Sequence, residues 1–444
     1  MKLVSSLLFT FLVTVLAAQE APKKDPFIKD KKKTEVQSLP LEQIRDVACL
    51  LESFILPQAD FAAWLEAPGG REKLHEKVLA AVKAGTAKLD ACHFARGAGG
   101  TRFTLESVDE LIYPTEWSLA GKKGFQYPMA FEMSQTGDRL EMEPTVDPSS
   151  TIVKMTQSFV RVRFSGLRAS KADRTQPGVV VADFHEQRCP SKKGALVQMP
   201  TLLSSHAVGA GQVLLTFITP RVPPITPPAQ LPSLVAGNLT LTPRVISLDR
   251  TRAWELLRTH AESDTALLAA LKPMLADKSA VLEYLATVSG ETGVRMEHET
   301  VRPHFYGTEF NPPEDGEPAK QSDDPQKPGI AALSNGYAST KAFEARPIGF
   351  HWQAEMTADE KRGIIQTNIA LEYTGFMGNL NDPLWSEHYP EVPVFSSQRI
   401  TTGYSQAAGS TILLSTLNPP GDTGVNGRKD EGRVWLLFLE ASLE

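Results

Sequence analysis

Cysteine is nearly absent from this chain: its 444 residues include three, Cys49, Cys92 and Cys189. So small and odd a number excludes a disulfide framework and leaves room for one bridge at most. The alternative is three buried or unpaired thiols. Excess positive charge is absent too. Lys and Arg total 46 against 52 Asp and Glu, a formal net charge of −6, so no nucleic-acid partner is expected, because one would call for a basic surface. Beyond the first residues no apolar run is long enough to span a bilayer as a helix. Strands inserting in a membrane leave a much weaker trace, so membrane contact stays open on the sequence alone. Catalytic motifs are missing as well. There is no Gly-x-Ser-x-Gly elbow. The Gly97-Ala-Gly-Gly100 stretch precedes a strand pattern, not the helix N-terminus that a phosphate site needs.

What is present points to export and to duplication. Lys2, the short apolar run Leu7 to Leu16 and the small residues Ala17-Ala18 have the form of a secretory signal over residues 1–18. A basic, Pro- and Gln-containing linker follows over 19–39. Further on, one pattern occurs twice. Phe131, Glu132, Gly137, Glu143, Asp147, Ile152, Phe164 and Gly166 recur as Phe343, Glu344, Gly349, Glu355, Asp359, Ile364, Phe376 and Gly378, at a constant offset of 212. Tyr113-Pro-Thr-Glu116-Trp117 answers to Tyr306-Gly-Thr-Glu309-Phe310, and Arg102, Glu106 and Val108 to Arg295, Glu299 and Val301, at an offset of 193. Ala63-Trp64 answers to Ala253-Trp254. Stepwise offsets are what insertions in loops between shared elements produce, and a repeated segment of this length reads as a duplicated domain.

Periodicity gives the expected elements. Leu41, Ile44, Val47, Leu51 and Phe54 fall at spacings of three and four, which predicts a helix stopped by Pro57. A second helix is expected over Arg71 to Leu89. Leu267, Leu271, Leu275, Val281 and Leu285 predict two helices split near Pro273. Alternation over Arg102–Val108, Leu140–Glu143 and Phe159–Phe164 predicts half-buried strands. The continuous apolar runs Val213–Ile218 and Val434–Leu439 predict strands buried on both faces. The fold class expected is therefore α+β: two tandem units, each a helical segment followed by a mostly antiparallel sheet. The units would cover 40–222 and 246–444, with a Pro-rich connector over 223–245 and a mobile acidic loop over 312–340.

Three stretches of the second unit resemble the secretin domain of type II and type III secretion systems. They are Phe305-Tyr306-Gly-Thr-Glu309-Phe310-Asn-Pro-Pro, Phe343-Glu344-Ala-Arg-Pro-Ile-Gly349, and Val392-Pro-Val-Phe395-Ser-Ser-Gln-Arg399-Ile-Thr-Thr leading to Ala408-Gly409-Ser-Thr. The likeness covers most of 280–444 and, more faintly, 100–222. Exported proteins of planctomycete type carry shorter domains of this sort. The chain departs where secretins continue into Gly-Gly-Leu, reading Ser415-Thr416-Leu417, and it lacks the following V-P-x-L-G-x-I-P segment. The resemblance implies a secretin-like β fold, an exported location in the periplasm or at the outer membrane, and self-association. On it Tyr113, Glu116, Tyr306, Glu309, Phe310, Phe343, Glu344, Gly349, Phe395, Arg399 and Gly409 are structural motif residues.

No set of side chains reads as a catalytic centre. Glu116 and Glu309 would need to lie close together to act as a carboxylate pair, and equivalent sites of tandem units give no reason for that. Cys92-His93, His185 with Cys189, and His298 with His304 lack the paired short spacings of a zinc site, and His351 has no second ligand nearby. No cofactor or metal is expected. Trp117, Phe125, Tyr127, Trp352, Tyr373, Phe376 and Trp385 form either core or a binding platform. The expected function is non-enzymatic: a cell-envelope protein with a structural or accessory role in secretion or pilus-type assembly, partnered by itself or by envelope components. The alternative is a periplasmic binding module with an aromatic cleft between the repeats.

Overall fold

Strand dominates the computed structural model. It describes residues 45–443 except 71, 121–124, 170–179, 227–236, 261, 312–338, 381–390 and 419–431. The expected signal over 1–18, the linker over 19–39 and nearly all of the acidic loop lie outside the described residues. Pro40–Glu444 form one compact unit.

The first half runs β1 (Asp46–Pro57), α1 (Gln58–Glu66), α2 (Leu74–Ala84), β2 (Lys88–Ala98), β3 (Phe103–Ala120), β4 (Phe125–Val146), β5 (Ile152–Ala169), β6 (Val180–Leu196), β7 (Thr201–Gly209) and β8 (Gln212–Arg221). The second runs β9 (Asn238–Asp249), α3 (Arg250–Thr259), α4 (Asp264–Ala276), β10 (Ala280–Leu285), β11 (Val288–Glu291), β12 (Arg295–Asn311), β13 (Ser339–Asp359), β14 (Ile364–Asn379), β15 (Pro393–Ala407), β16 (Thr411–Leu417) and β17 (Arg433–Leu443). With β10 and β11 taken together as the counterpart of β2, the element order of the two halves is the same.

These strands form two antiparallel sheets. The first has the order β10-β9-β17-β16-β2-β1-β8-β7, with β11 also on β9; the second has the order β12-β13-β14-β15-β3-β4-β5-β6. Each sheet takes one block of strands from the second half and one from the first. The sheets face each other across a core that holds Val47, Leu51, Leu241 and Leu437 of the first and Leu105, Met142, Trp352 and Ile369 of the second. The outer face of the first sheet carries the four helices found among the described residues, whose Val78, Trp254, Leu257 and Leu271 pack on Phe54, Phe217 and Phe438. A smaller cluster around Leu111, Val394 and Phe395 fills the far end of the second sheet.

This architecture corrects the α+β expectation. The helices are short, and no helical segment precedes each sheet as a layer of its own. The segment around Val47 to Phe54 is strand β1, not helix. It lies between β2 and β8, with core on one face and helices on the other. Every residue from Asp46 to Phe54 is therefore buried, and the apolar residues at spacings of three and four are only part of a wholly buried run. Val281 and Leu285 likewise belong to β10, not to a helix, and Pro273 sits inside the last turns of α4 without splitting it.

Candidate functional site: the seam between the two halves

The two halves meet edge to edge in both sheets. In the second sheet β15 pairs with β3 over eight positions, from Val394↔Leu111 to Thr401↔Thr104. In the first, β16 meets β2 at Ser415↔Ala95. Side chains extend that contact: the Phe94 N–H donates to Thr416 Oγ1 at 2.8 Å, and the Asn418 amide donates to the Cys92 carbonyl at 2.9 Å.

Charges close the seam. Glu110, on β3, is 1 % exposed and binds Arg346 in two-pronged fashion, at 2.9 and 2.7 Å. It also accepts from Arg399 and from Ser397 Oγ, each at 2.8 Å. Glu372 accepts from both arginines, at 3.0 and 3.1 Å. Burial works to raise the Glu372 pKa, but Arg399 and then Arg346 outweigh it and hold the carboxyl below its ordinary value. Arg399 also reaches Glu106 across the seam at 3.3 Å. Groups satisfied so fully by one another position strands.

A second polar set lies at the seam beside a cavity of 250 Å³ lined by Asp46, Arg96, Pro223, Ser263, Asp264 and Gln406, among others. Asp46 is buried and accepts the Ser405 N–H. Burial pushes its pKa up to about 6 against the pull of Arg96 and the Ser405 bond. Arg96 donates to Asp264, in the first turn of α4, at 2.6 Å. The folded-state pKa exceeds the ordinary 3.8. The protonated form therefore favours folding: that contribution is full below pH 3.8 and lost as pH rises through 6. Asp46→Asn should remove this dependence. The stability of the variant relative to the native chain should rise between pH 4 and 7, by about 2–3 kcal/mol. Urea unfolding across that range checks this, and an unchanged difference would sink the assignment.

A third set joins the sheets within the first half. Asp138 of β4 accepts from Arg161 Nε and Nη2, both at 2.7 Å, and pairs with His93 Nε2 at 2.9 Å. Arg161 also reaches Asp90 at 2.7 Å. Burial opposes ionisation of Asp138, yet Arg161, Arg163 and the His93 bond hold its carboxyl well below the usual range.

The sequence-derived motif residues are distributed along the second sheet. Tyr306 donates to Glu344 at 3.0 Å, and burial followed by that carboxylate pushes its phenol up to about 12. Tyr113 packs edge-on against Phe184. Phe310 is buried against Phe131, while Phe343 is exposed. Phe395 is buried beside Tyr306. Gly349 and Gly409 adopt positive φ, 134° and 75°. Contrary to expectation, the Glu116 and Glu309 segments do approach each other, since both residues are paired with Ala130 of β4. Both side chains are exposed, and Glu309 is paired with Lys341.

Cys49, Cys92 and Cys189 are all free, and burial raises the Cys49 thiol to about 12. None of the histidine and cysteine pairs weighed for zinc belongs to a group of three ligand-type side chains among the described residues. One such group exists elsewhere: Glu297, Glu299 and His351, whose ligand atoms lie within 4.8 Å of one another on the exposed side of β12 and β13. Sequence reasoning missed it because His351 is distant in the chain. The signal was the i, i+2 glutamate pair on one strand face. It offers a cation three ligand atoms on an open surface. Of the aromatic set, Trp352 is wholly buried and donates to Tyr284 Oη, and Trp117, Tyr373 and Phe376 pack into core clusters. Trp385 and the side chains of Phe125 and Tyr127 lie outside the described residues.

Comparison with known proteins adds little. No protein-family model matches the chain, and no curated protein does. Among solved structures it is similar to the InvG secretin domain β-barrel from the Salmonella SPI-1 injectisome NC-base. That match has 8 % identity and a TM-score of 0.21, and covers 53 % of this chain and 72 % of that one. A score so low carries no argument about fold or activity. No helix among the described residues is long and apolar enough to cross a membrane, which says nothing of strands.

Proposed function

We propose that this chain is a non-enzymatic structural protein of the cell envelope, an accessory to secretion or pilus-type assembly. In this reading it consists of two copies of one β unit and works through its sheet edges. The observation that carries the reading is where most of the exposed large apolar side chains lie: of twelve among the described residues, nine are on or beside four strands, the others being Met133, Ile152 and Phe343. Leu196, Met199 and Val208 sit on or beside β6 and β7; Val281, Leu282, Leu285, Val294, Val301 and Phe305 sit on or beside β10 and β12. These are the outermost strands of the two sheets. Edges with unpaired backbone groups and apolar flanks are templates for another β surface. The secretion or pilus-type setting rests on the secretin-like stretches, and export on residues 1–18.

Cell fractionation tests it. The chain, cleaved near residue 18, is expected in the envelope fraction, in a particle several times the mass of one chain. Recovery from the cytoplasm with residues 1–18 intact, at the mass of one chain, would overturn the reading.

A further inference from the structure

The free edges are the counterparts of the edges joined at the seam; β12 meets β4 at Glu309↔Ala130, beyond the stretch that concerns the seam register. β6 occupies in the first half the place of β15 in the second, and β12 occupies the place of β3. The registers agree residue by residue. Phe103↔Met142 in β3–β4 corresponds to Met296↔Ala354 in β12–β13. Gly137↔Val162 in β4–β5 corresponds to Gly349↔Thr374 in β13–β14. Phe164↔Phe184 in β5–β6 corresponds to Phe376↔Phe395 in β14–β15. In the first sheet β7 stands where β16 stands, and β10 with β11 where β2 stands.

We propose that a second copy of this chain docks head to tail on these edges. β6 of one molecule adds to β12 of the next while β7 adds to β10 and β11, in the register of the internal seam. The proposal rests on the two-copy reading given above. Transferred to the free edges, the ladder from Val394↔Leu111 to Thr401↔Thr104 becomes Asp183 opposite His304 through Pro190 opposite Glu297. Charge follows the register. Arg399 and Glu106, paired across the seam, become Arg188 and Glu299. Both are exposed, with local partners only, Glu186 and His351. Apolar burial follows it too. Val108, 4 % exposed at the seam, has its counterpart in Val301, 38 % exposed at the free edge. Pro303 and Pro190 fall near the two ends of the new ladder, so the stretch from His185–Arg302 to Cys189–His298 keeps its backbone donors.

Because the two edges differ, the contact is heterologous. It repeats until it closes a ring or grows as a filament. Within each chain the seam already carries one such step, so the assembly has twice as many β units as chains.

The test uses purified mature chain, its mass measured by light scattering with and without detergent over a range of concentrations. A companion variant carries Arg188→Cys and Glu299→Cys with Cys189→Ser. Directly opposed residues of antiparallel strands lie within disulfide reach, and the two new thiols are on exposed positions that the fold does not need. Multi-chain particles are expected, and mild oxidation of the double variant should give a reducible ladder of dimers, trimers and higher species. Each single-cysteine variant, with no thiol facing its own across the contact, should give no ladder. Arg188→Glu or Glu299→Arg alone should weaken association severalfold, and mixing the two should restore it, because each then meets an opposite charge. A monomer at every concentration in both conditions, or oligomers that neither cross-link nor respond to charge reversal, would overturn the proposal. If the purified chain is monomeric while the envelope fraction still holds it in a larger particle, head-to-tail docking falls and the structural reading stands. Recovery from the cytoplasm would sink that reading whatever the cross-link shows.

Discussion

Asp138→Ala should cost about 3–5 kcal/mol at pH 7, since it breaks a buried ion pair from one side. Arg161 is 3 % exposed and keeps only Asp90 as an acidic partner once the carboxylate is gone. His93 loses its partner on Nε2. The pH dependence follows from the depressed carboxyl. Its contribution is present above the ordinary value of 3.8 and is lost as pH falls from there through the lower folded value. The cost of the variant should therefore shrink in acid. The second half supplies the complementary experiment. Its residues in the matching register are Phe350 and Tyr373, paired as Asp138 and Arg161 are, with ring centroids 4.7 Å apart and tilted, and with Tyr284 stacked on Phe350 at 4.1 Å. One half closes this position with charge and the other with aromatic carbon. Replacing a whole ion pair by apolar groups of similar volume is often neutral. Asp138→Phe with Arg161→Tyr should thus retain most of the stability that Asp138→Ala loses. Urea unfolding of the two variants decides it: equal losses would mean that the cluster does more than fill and neutralise its site.

Such pairings explain what a single sequence could and could not reveal. The alternating segments Arg102–Val108, Leu140–Glu143 and Phe159–Phe164 lie in or at the start of β3, β4 and β5, because those strands show one face to the core and one to solvent over that length. β1 gave the wrong period because helices cover its outer face. With both faces apolar it has no alternation to detect, and any spacing can be picked out of it. The seam left no local mark at all. Glu110 meets Arg346 and Arg399, residues more than two hundred positions away, and loop closure over such distances leaves no periodicity. The recurrence of Glu106 as Glu299 was visible, but not that one is joined across a seam and the other left open.

Ala in place of Gly349 or Gly137 should each destabilise the fold by about 3 kcal/mol or more, since backbone strain and overpacking add at one site. These glycines recur at the offset of 212, and the structure gives the reason. Both hold φ in the region that L side chains avoid, +134° and +124°. A Cβ on Gly349 would lie 2.0 Å from the Thr300 carbonyl oxygen, and one on Gly137 would lie 2.3 Å from that of Ser107. The colliding atoms are backbone of the neighbouring strand, so no rotamer change relieves them. Position adds to the effect. Gly137 is the first β4 residue in the ladder with β5, and Gly349 the first of β13 with β14. Before each, the strand pairs with β3 or β12 but has left β5 or β14, and the glycine is where the chain bends away. Ala there should loosen the bent hairpin first. Hydrogen exchange is expected to rise in residues 128–136 for Gly137→Ala and in 340–348 for Gly349→Ala, before global unfolding is reached. Because the second bend adjoins β12, Gly349→Ala should also weaken head-to-tail association, whereas Gly137→Ala, two strands from β6 and five from β12 by way of the seam, acts mainly on the seam through β3. Equal effects of the two variants on association, at matched loss of stability, would count against the assignment of β12 as the receiving edge.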